Sequence, residues 1–228
     1  MVPAGQEWEA GGWFAQLPAM ERARLHERGT ARSFAQGATL FHEGDPSDWV
    51  LLLSDGRVKV ASVTPDGRAV VLAVCSPGEL IGEFSAIDGL PRSATATAID
   101  SVQARVIRAE EFRTFLAGNA RASLLLLASV CGRLRRSDRQ LVDFVSLDAA
   151  GRVARRLVEL AEQFGVQTAD GTIRIDMPVT QDDLAGWTGS SREAVTKALH
   201  NLRDRGLITT GRRAITVLDL NGLRSRTT

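Results

Sequence analysis

Residues 180–199 read TQDDLAGWTGSSREAVTKAL. Thr180 and Ser191 are good N-cap residues, and Gly189 suits a tight turn between the two helical segments that they begin. The apolar and small residues that fall where two such helices pack together are Leu184, Ala185, Val195 and Leu199. The stretch therefore predicts a helix-turn-helix, with one helix from Gln181 and a second from Ser191.

The second of these helices places Arg192, Glu193 and Lys197 near one face, at its N-terminal end. In a DNA major groove, arginine donates two hydrogen bonds to guanine, glutamate accepts from the cytosine amino group, and lysine donates to guanine or thymine. The alternative is a solvated surface helix with an i,i+4 pair of Glu193 and Lys197. The turn, the N-caps and the strands that follow favour a helix that reads DNA.

A small hairpin completes a winged helix-turn-helix. Short strands are predicted at Thr172–Asp176, around Ile208 and at Ala214–Leu218, and Asp148 is a good N-cap for a helix over Ala149–Phe164. Hydroxyl groups, helix amide ends and arginines in such a domain hold DNA phosphates. The residues expected to do so are Thr180, Ser191, Arg203, Arg205, Arg212 and Arg213, and Gln181 is also expected to bind DNA.

The N-terminal part, from Ser33 to about Arg108, is rich in short β-type runs. Asp-Gly and Gly-Asp pairs punctuate these runs, and such pairs tolerate the positive φ that hairpins between twisted strands require. The predicted strands are Thr39–Phe41, Trp49–Leu53, Arg57–Thr64, Ala69–Cys75, Ser93–Ala98 and Val102–Arg108. We expect a closed antiparallel β-barrel of jelly-roll type, preceded by a helix over Trp13–Glu27.

Beyond Glu110 the apolar period becomes helical, with small or apolar residues at alternating steps of three and four. These residues are Ala120, Ser123, Leu127, Val130, Leu134, Ser137, Leu141 and Phe144. Such a narrow seam is typical of a coiled coil. A single core helix is the alternative, but the length and the arginines at positions 133, 135, 136 and 139 favour a parallel dimer helix and hence a homodimer.

A second polar segment, PGELIGEFSAIDGLPRSA, spans residues 77–94. Gly82 permits close backbone approach, and a short helix that begins there offers amide groups to an anion. Arg92 and Ser93 suit a phosphate, and the Glu83 carboxylate suits a ribose hydroxyl. The combination fits a cyclic nucleotide better than inorganic phosphate. An ordinary hairpin with a structural pair of Arg92 and Glu83 is the alternative.

Composition argues against several other classes. The net charge of +1 means that DNA must be bound by a local patch. Two cysteines are too few for a disulfide framework or an iron–sulfur cluster held by thiolates. His26, His42 and His200 are scattered, and neither a Walker loop nor a Gly-x-Ser-x-Gly elbow occurs, so neither a metal site nor an enzyme is expected.

Targeting signals are also missing from the sequence. Residues Met1–Glu9 contain acids and no basic stretch followed by a long apolar one. No apolar run approaches the ~20 residues that span a bilayer. We therefore expect a cytoplasmic protein that does not associate with membranes.

The motif GSSREAVTK at residues 189–197, with the barrel and the long helix before it, resembles the Crp/Fnr regulator family and is most similar to its cyclic AMP receptor proteins. The resemblance implies an α+β chain with a cyclic-nucleotide-binding domain over residues 1–112, a dimerisation helix over 113–146 and a winged helix-turn-helix over 147–228. It also implies that Arg192, Glu193 and Lys197 read a TGTGA-type half-site in a two-fold symmetric operator, and that the regulator contacts RNA polymerase.

The segment 77–94 resembles the phosphate-binding cassette of cyclic-nucleotide-binding domains, which implies that Gly82, Glu83, Phe84, Arg92 and Ser93 bind the effector, with cAMP expected. In the cyclic AMP receptor proteins, a pair of residues on the dimer helix, one from each subunit, contacts the adenine amino group. The matching residues are Ser137 and Asp138. Asp138 departs from the Ser or Asn of the family, and its carboxylate suits either the adenine amine or the N1 and N2 donors of guanine.

Other functions remain open at this point. A regulator of the same fold can bind DNA without cAMP, or respond to cGMP or haem. A cyclic-nucleotide-processing enzyme is a more distant alternative, because the His/Asp metal cluster typical of that chemistry is missing from the sequence.

Overall fold

The computed structural model describes residues 12–226. The chain divides into two compact units, one containing residues up to 64 together with 71–135, and the other containing 65–70 together with the residues from 136 onward. The division into three functional regions, 1–112, 113–146 and 147–228, stays a prediction.

Eight short strands form two four-stranded sheets in the first unit. The strands are β1 (Thr30–Phe34), β2 (Thr39–Phe41), β3 (Trp49–Asp55), β4 (Val58–Val63), β5 (Ala69–Cys75), β6 (Leu80–Ile81), β7 (Thr95–Ala98) and β8 (Val102–Arg108). One sheet has the order β1-β8-β3-β6 and the other β2-β7-β4-β5. The expected closed barrel is therefore corrected to two jelly-roll-like sheets with a shared apolar core, to which both contribute residues.

Strand β3 shows why the unit has two layers of core. Leu51 and Leu53 are buried in the cluster between the two sheets, whereas Val50 and Leu52 are buried in a second cluster beneath the helices. Alternate side chains of a strand point to opposite faces, so a strand covered on both faces is a continuous apolar run.

The first helical segment of this unit departs from the predicted limits. A 3-10 turn at Trp13–Gln16 is separated from α1 (Ala19–Arg28) because Leu17 is extended before Pro18, a residue that cannot donate a backbone hydrogen bond. The predicted helix over Trp13–Glu27 was therefore wrong as a single element. Two further helices, α2 (Glu83–Asp88) and α3 (Ala109–Ala117), precede the long helix α4 (Ala120–Ser146).

Helix α4 leaves the leucines of its predicted seam exposed in the single chain. Leu127, Leu134 and Leu141, which are spaced by seven residues, are 58%, 61% and 68% exposed. A row of large apolar side chains at this spacing is the pattern of a helix that packs against another helix.

The second unit contains the predicted winged helix-turn-helix. Its elements are α5 (Ala149–Phe164), β9 (Gly165–Gln167), β10 (Ile173–Ile175), α6 (Gln181–Thr188), α7 (Arg192–Asp204), β11 (Ile208–Gly211), β12 (Ala214–Val217) and α8 (Leu220–Arg224). The four strands form one sheet in the order β11-β12-β10-β9. The predicted helix after Asp148 has the predicted limits, and the Asp148 side chain accepts a hydrogen bond from the backbone N–H of Gly151 at 2.7 Å.

Two further features of residues 12–226 concern membranes and metal ions. No single helix there has both the length and the apolar composition to cross a membrane; α3 and α4 meet this criterion only as a pair, with a bend of 111° between them. No group of three or more His, Cys, Asp or Glu side chains in the same residues is arranged to hold a metal ion.

Candidate functional site

Arg92 lies in the loop before β7, and its side chain is buried in the first unit, where the residue is 2% exposed. Its Nη1 donates to the carbonyl oxygen of Gly82 at 2.8 Å, and Nη2 donates to the carbonyl oxygen of Trp49 at 2.8 Å. The guanidinium carbon is 4.2 Å from the ring centroids of both Phe41 and Trp49. These contacts hold a positive charge against the backbone of the predicted effector segment.

Burial and nearby carboxylates shift the pKa of this guanidinium in opposite directions. Desolvation lowers the pKa of Arg92 to about 10, while the carboxylates of Glu83, Asp45 and Asp48 act to raise it. The guanidinium therefore stays charged at neutral pH and is suited to bind a phosphate.

Glu83 is the second buried charge in this region and is 2% exposed. Its carboxylate forms an ion pair with Arg133 of α4, and the Arg133 guanidinium carbon lies 5.0 Å from the Phe84 ring centroid. The ion-pair partner of Glu83 is thus Arg133 rather than Arg92, in contrast to the structural pair considered from sequence. A carboxylate has lone pairs for more than one donor, so this pair leaves Glu83 able to accept from a sugar hydroxyl.

Gly82 brings the two charges together. It has a positive φ of 79° and forms the N-cap of α2, whose first residue is Glu83. A Cβ added to Gly82 would lie 1.9 Å from Nη1 of Arg92. The predicted close approach at this glycine is therefore made by the arginine of the same segment.

Replacing Gly82 with alanine is expected to lower cyclic-nucleotide affinity by about 10-fold or more, because the new methyl group must displace Arg92. Gly89 provides a matched control, because it ends the same helix with a φ of 74° and, among the described residues, has no atom within 4 Å of its added Cβ. Both variants incur a backbone strain of roughly 1–2 kcal/mol. Calorimetric titration of both variants with nucleotide is expected to show weaker binding by Gly82→Ala than by Gly89→Ala. Equal affinities of the two variants would contradict the assigned role of Gly82.

The other predicted effector residues are placed differently. Phe84 and Ser93 are exposed residues of the first unit, one on α2 and the other directly after Arg92. Ser137 and Asp138 are exposed residues of α4 in the second unit. The structure therefore brings Gly82, Glu83 and Arg92 together, and the roles of the remaining residues are proposals.

Three residues around Arg92 and Glu83 were missed from the sequence. Phe41 and Trp49 were assigned only to strands, and Arg133 was noted only as one of several arginines on the long helix. Arg133 flanks the apolar seam, so its heptad position was the available signal; for the two aromatic residues the sequence offered no specific signal.

The helix-turn-helix begins with two well-formed caps. The Thr180 hydroxyl accepts from the backbone N–H of Asp183 at 3.0 Å, and the Asp183 carboxylate accepts from the backbone N–H of Thr180 at 3.1 Å. The Ser191 hydroxyl accepts from the backbone N–H of Ala194 at 3.2 Å. Each cap satisfies amides that have no partner within the helix and so fixes where α6 and α7 begin.

The exposed face of α7 carries the predicted base-reading residues. Arg192, Glu193 and Lys197 line one open concave surface, together with Thr196 and His200, which were not predicted. The pKa of Glu193 lies below its usual value because its own backbone N–H and the Ser191 hydroxyl donate hydrogen bonds to the carboxylate. The face thus presents an ionised acceptor beside two cationic donors.

The other predicted DNA-binding residues surround this face. Gln181 accepts a hydrogen bond from the Thr196 hydroxyl at 3.0 Å, so α6 and α7 are linked at the concave surface. Arg203 donates to the Thr210 hydroxyl at 3.0 Å and so connects α7 to β11. Arg212 and Arg213 form the exposed tip of the wing between β11 and β12.

Phe144, near the end of α4, packs against the turn of this motif. A Cβ added to Gly189, which has a φ of 55°, would lie 2.3 Å from Cε2 of Phe144. Arg152 of α5 lies 4.7 Å from the Phe144 ring centroid and donates to the carbonyl oxygens of Thr188 at 2.8 Å and Leu147 at 2.7 Å. The turn between α6 and α7 is therefore tied to the end of α4 within the second unit.

Comparison with known proteins assigns the N-terminal and the C-terminal parts of the chain to known domain families. Residues 31–119 match the family model of the cyclic nucleotide-binding domain, and residues 151–226 match that of the Crp-like helix-turn-helix domain. The chain is 36% identical over 193 residues to a CRP-like cAMP-activated global transcriptional regulator of Mycobacterium tuberculosis, covering 85% of this chain and 86% of the relative. It is 31% identical over 181 residues to a cyclic AMP receptor protein of Thermus thermophilus, covering 79% and 80%.

A solved structure shows the same architecture. The crystal structure of a CRP-family transcriptional regulator from Thermus thermophilus superposes with a TM-score of 0.72 at 27% identity, covering 86% of this chain and 96% of that chain. The family consists of DNA-binding transcription regulators rather than enzymes. With both domain matches and a relative at 36% identity over most of its length, the chain belongs to the Crp/Fnr family of transcription regulators.

Proposed function

We propose that this regulator is activated by cAMP and binds a TGTGA-type palindrome as a homodimer. A regulator of this kind acts in the cytoplasm, where it contacts double-stranded DNA and RNA polymerase. The observation that carries the effector assignment is the pair of buried opposite charges, Arg92 and Glu83, at the backbone of Gly82. The first of these suits the phosphate of a cyclic nucleotide and the second suits its ribose.

The dimer is supported by the exposed leucines of α4 at heptad spacing. In a parallel pair of α4 helices, two-fold symmetry presents two copies of α7 to DNA. Two half-sites about one helical turn apart, about 34 Å, then mirror the symmetry of the protein. Arg192, Glu193 and Lys197 would each be used twice on one operator.

Effector binding would act by a population shift. A nucleotide that contacts the cassette and the α4 helices of both subunits stabilises the arrangement in which both α7 helices face successive major grooves. A nucleotide with equal affinity for both arrangements would change nothing. We expect Ser137 and Asp138 to contact the base, one from each subunit.

The choice of base rests on Asp138 and on the relatives. The adenine amine offers one donor to a carboxylate, and relatives named for cAMP favour this base. Guanine offers two adjacent donors, N1 and N2, so cGMP is the second candidate. Both are cyclic nucleotides that the same cassette residues would hold.

The deciding experiment follows binding of the purified chain to a fluorescent duplex that contains the palindrome, while cAMP or cGMP is added in separate titrations. We expect cAMP to raise the affinity by about 10-fold or more, which corresponds to a coupling free energy within the usual allosteric range. A duplex with scrambled half-sites is the control and should not respond. Affinity for the palindrome that neither nucleotide changes would contradict activation by a cyclic nucleotide, and a visible absorption spectrum would then test for haem.

A further inference from the structure

The positions that flank the seam of α4 carry very few charges. With Leu127, Leu134 and Leu141 at position a of the heptad and Val130, Ser137 and Phe144 at position d, the flanking positions are e and g. Position e is occupied by Leu124, Cys131, Asp138 and Val145, and position g by Leu126, Arg133 and Gln140. Arg133 and Asp138 are thus the only charged residues among the seven, and their charges are opposite.

The spacing of these two charges matches the geometry of a parallel coiled coil. In such a pair, a residue at g lies beside the residue at e of the following heptad on the other helix, which is five positions later, and opposite charges there form interhelical ion pairs. Asp138 is five positions after Arg133. We propose that Arg133 pairs with Asp138 of the partner subunit, and that two-fold symmetry forms this pair twice. The proposal rests on the parallel homodimer of the proposed function.

Arg133 has donors to spare for this pair. Its Nη2 binds Glu83, and the guanidinium makes no other hydrogen bond among residues 12–226; Nε is buried, so Nη1 is the donor left for a partner subunit. A guanidinium has five N–H donors in a planar fork and binds two carboxylates at once. The Arg133 side chain is 29% exposed, so it remains accessible to a second subunit.

Asp138 is equally suited to a partner outside its own chain. It is exposed on α4, and none of the ion pairs among the described residues includes it. Arg135, Arg136 and Arg139 lie at positions b, c and f of the heptad, away from the seam. The partner subunit's Arg133 is therefore the cation that a parallel seam brings to Asp138.

The pair would link the effector pocket to the other subunit through two consecutive ion pairs. Glu83 of one chain contacts Arg133, which in turn contacts Asp138 of the partner subunit. A nucleotide that binds Glu83 therefore affects the ion pair between Glu83 and Arg133, and through Arg133 the proposed pair with Asp138 of the partner subunit. Asp138 is held in place before the base arrives.

Subunit exchange tests the pair in the full chain without nucleotide. Dimers labelled with 15N are mixed with unlabelled dimers, and native mass spectrometry follows the appearance of dimers of intermediate mass. At about 20 mM ammonium acetate, where exposed charges are weakly screened, Asp138→Asn is expected to exchange about 3- to 10-fold faster than the natural chain. The difference should shrink at about 500 mM. Asp143→Asn, the same change at position c of the same helix, should exchange at the natural rate.

A double-mutant cycle with Arg133→Gln then identifies the partner. If the two residues pair, adding Asp138→Asn to Arg133→Gln causes no further acceleration, because the interaction is already lost. The same acceleration by Asp138→Asn with and without Arg133→Gln would overturn the pair while leaving the dimer intact. A natural chain that is monomeric at every concentration would overturn the dimer itself, and with it the inference.

Discussion

Replacing Arg92 with alanine is expected to reduce cyclic-nucleotide affinity by about 30-fold or more, because truncating a buried, hydrogen-bonded charge that pairs with a phosphate costs roughly 2–5 kcal/mol. Calorimetric titration of the variant with cAMP and with cGMP measures this loss. Arg57→Ala is the matched control, because Arg57 belongs to the same unit but pairs with Asp100 at 2.6 Å. An unchanged nucleotide affinity for Arg92→Ala would refute the phosphate role.

The structural part of the Arg92 effect requires a second variant. Arg92 also contacts the Gly82 and Trp49 carbonyls and two aromatic rings, so its loss leaves a gap in the sheet core. Arg92→Lys keeps the charge but lacks the planar fork that binds two acceptors. We expect it to retain the fold by circular dichroism and to lose affinity by about 10-fold, less than the alanine variant.

Replacing Arg192 with alanine is expected to weaken binding to the palindrome by about 30-fold or more. A bidentate contact to guanine contributes roughly 1–3 kcal/mol of discrimination, and a dimer loses it in both half-sites. Anisotropy titrations compare the palindrome with a duplex in which the contacted guanine is replaced in each half-site. The natural chain should discriminate between them and the variant should not.

Arg203→Ala provides the contrast for this experiment. A residue that contacts phosphate weakens binding to all sequences by a similar factor and lowers the salt dependence by about one counterion for each contact. Discrimination between the two duplexes should therefore survive in Arg203→Ala. Discrimination that survives in Arg192→Ala as well would place base recognition elsewhere on α7.

The local elements that could be predicted have strong signals in their own residues. Strands β5 and β8 have the predicted limits because apolar residues dominate β5 and alternate with polar ones in the first part of β8. Helix α5 has its predicted limits because Asp148 caps it and its apolar face is continuous. Family resemblance and local chemistry agreed at α7, where Ser191 fixes the N-terminus and Arg192 follows.

The missed elements have weak local signals and depend on tertiary pairing. Strand β1 contains only one buried residue, Phe34, and is defined by its register with β8. Strand β6 is two residues long, and β9 is exposed along its length in a segment where no element was predicted. Such segments have no periodicity of their own, so hydrogen bonding to a neighbour decides their conformation.

Prediction of the candidate effector site from sequence fails in the same way for contacts between distant residues. Gly82, Glu83 and Arg92 lie within one short segment, and their proposed roles were predicted from residue chemistry in the sequence. Arg133 is 50 residues from Glu83 in the chain, and the fold of the first unit brings the two together. Long-range pairs of this kind have no local signature.

The contact between Phe144 and Gly189 constrains how this regulator can evolve. Phe144 is 53% exposed on the seam, and the covered part of its ring occupies the space where Gly189 would need a side chain. Because packed interiors leave little slack, a change of volume at position 144 would disturb both the proposed subunit interface and the turn before α7. Selection cannot adjust these two properties separately at this residue. A compensating substitution at Gly189 is disfavoured, because its positive φ suits glycine better than residues with a side chain.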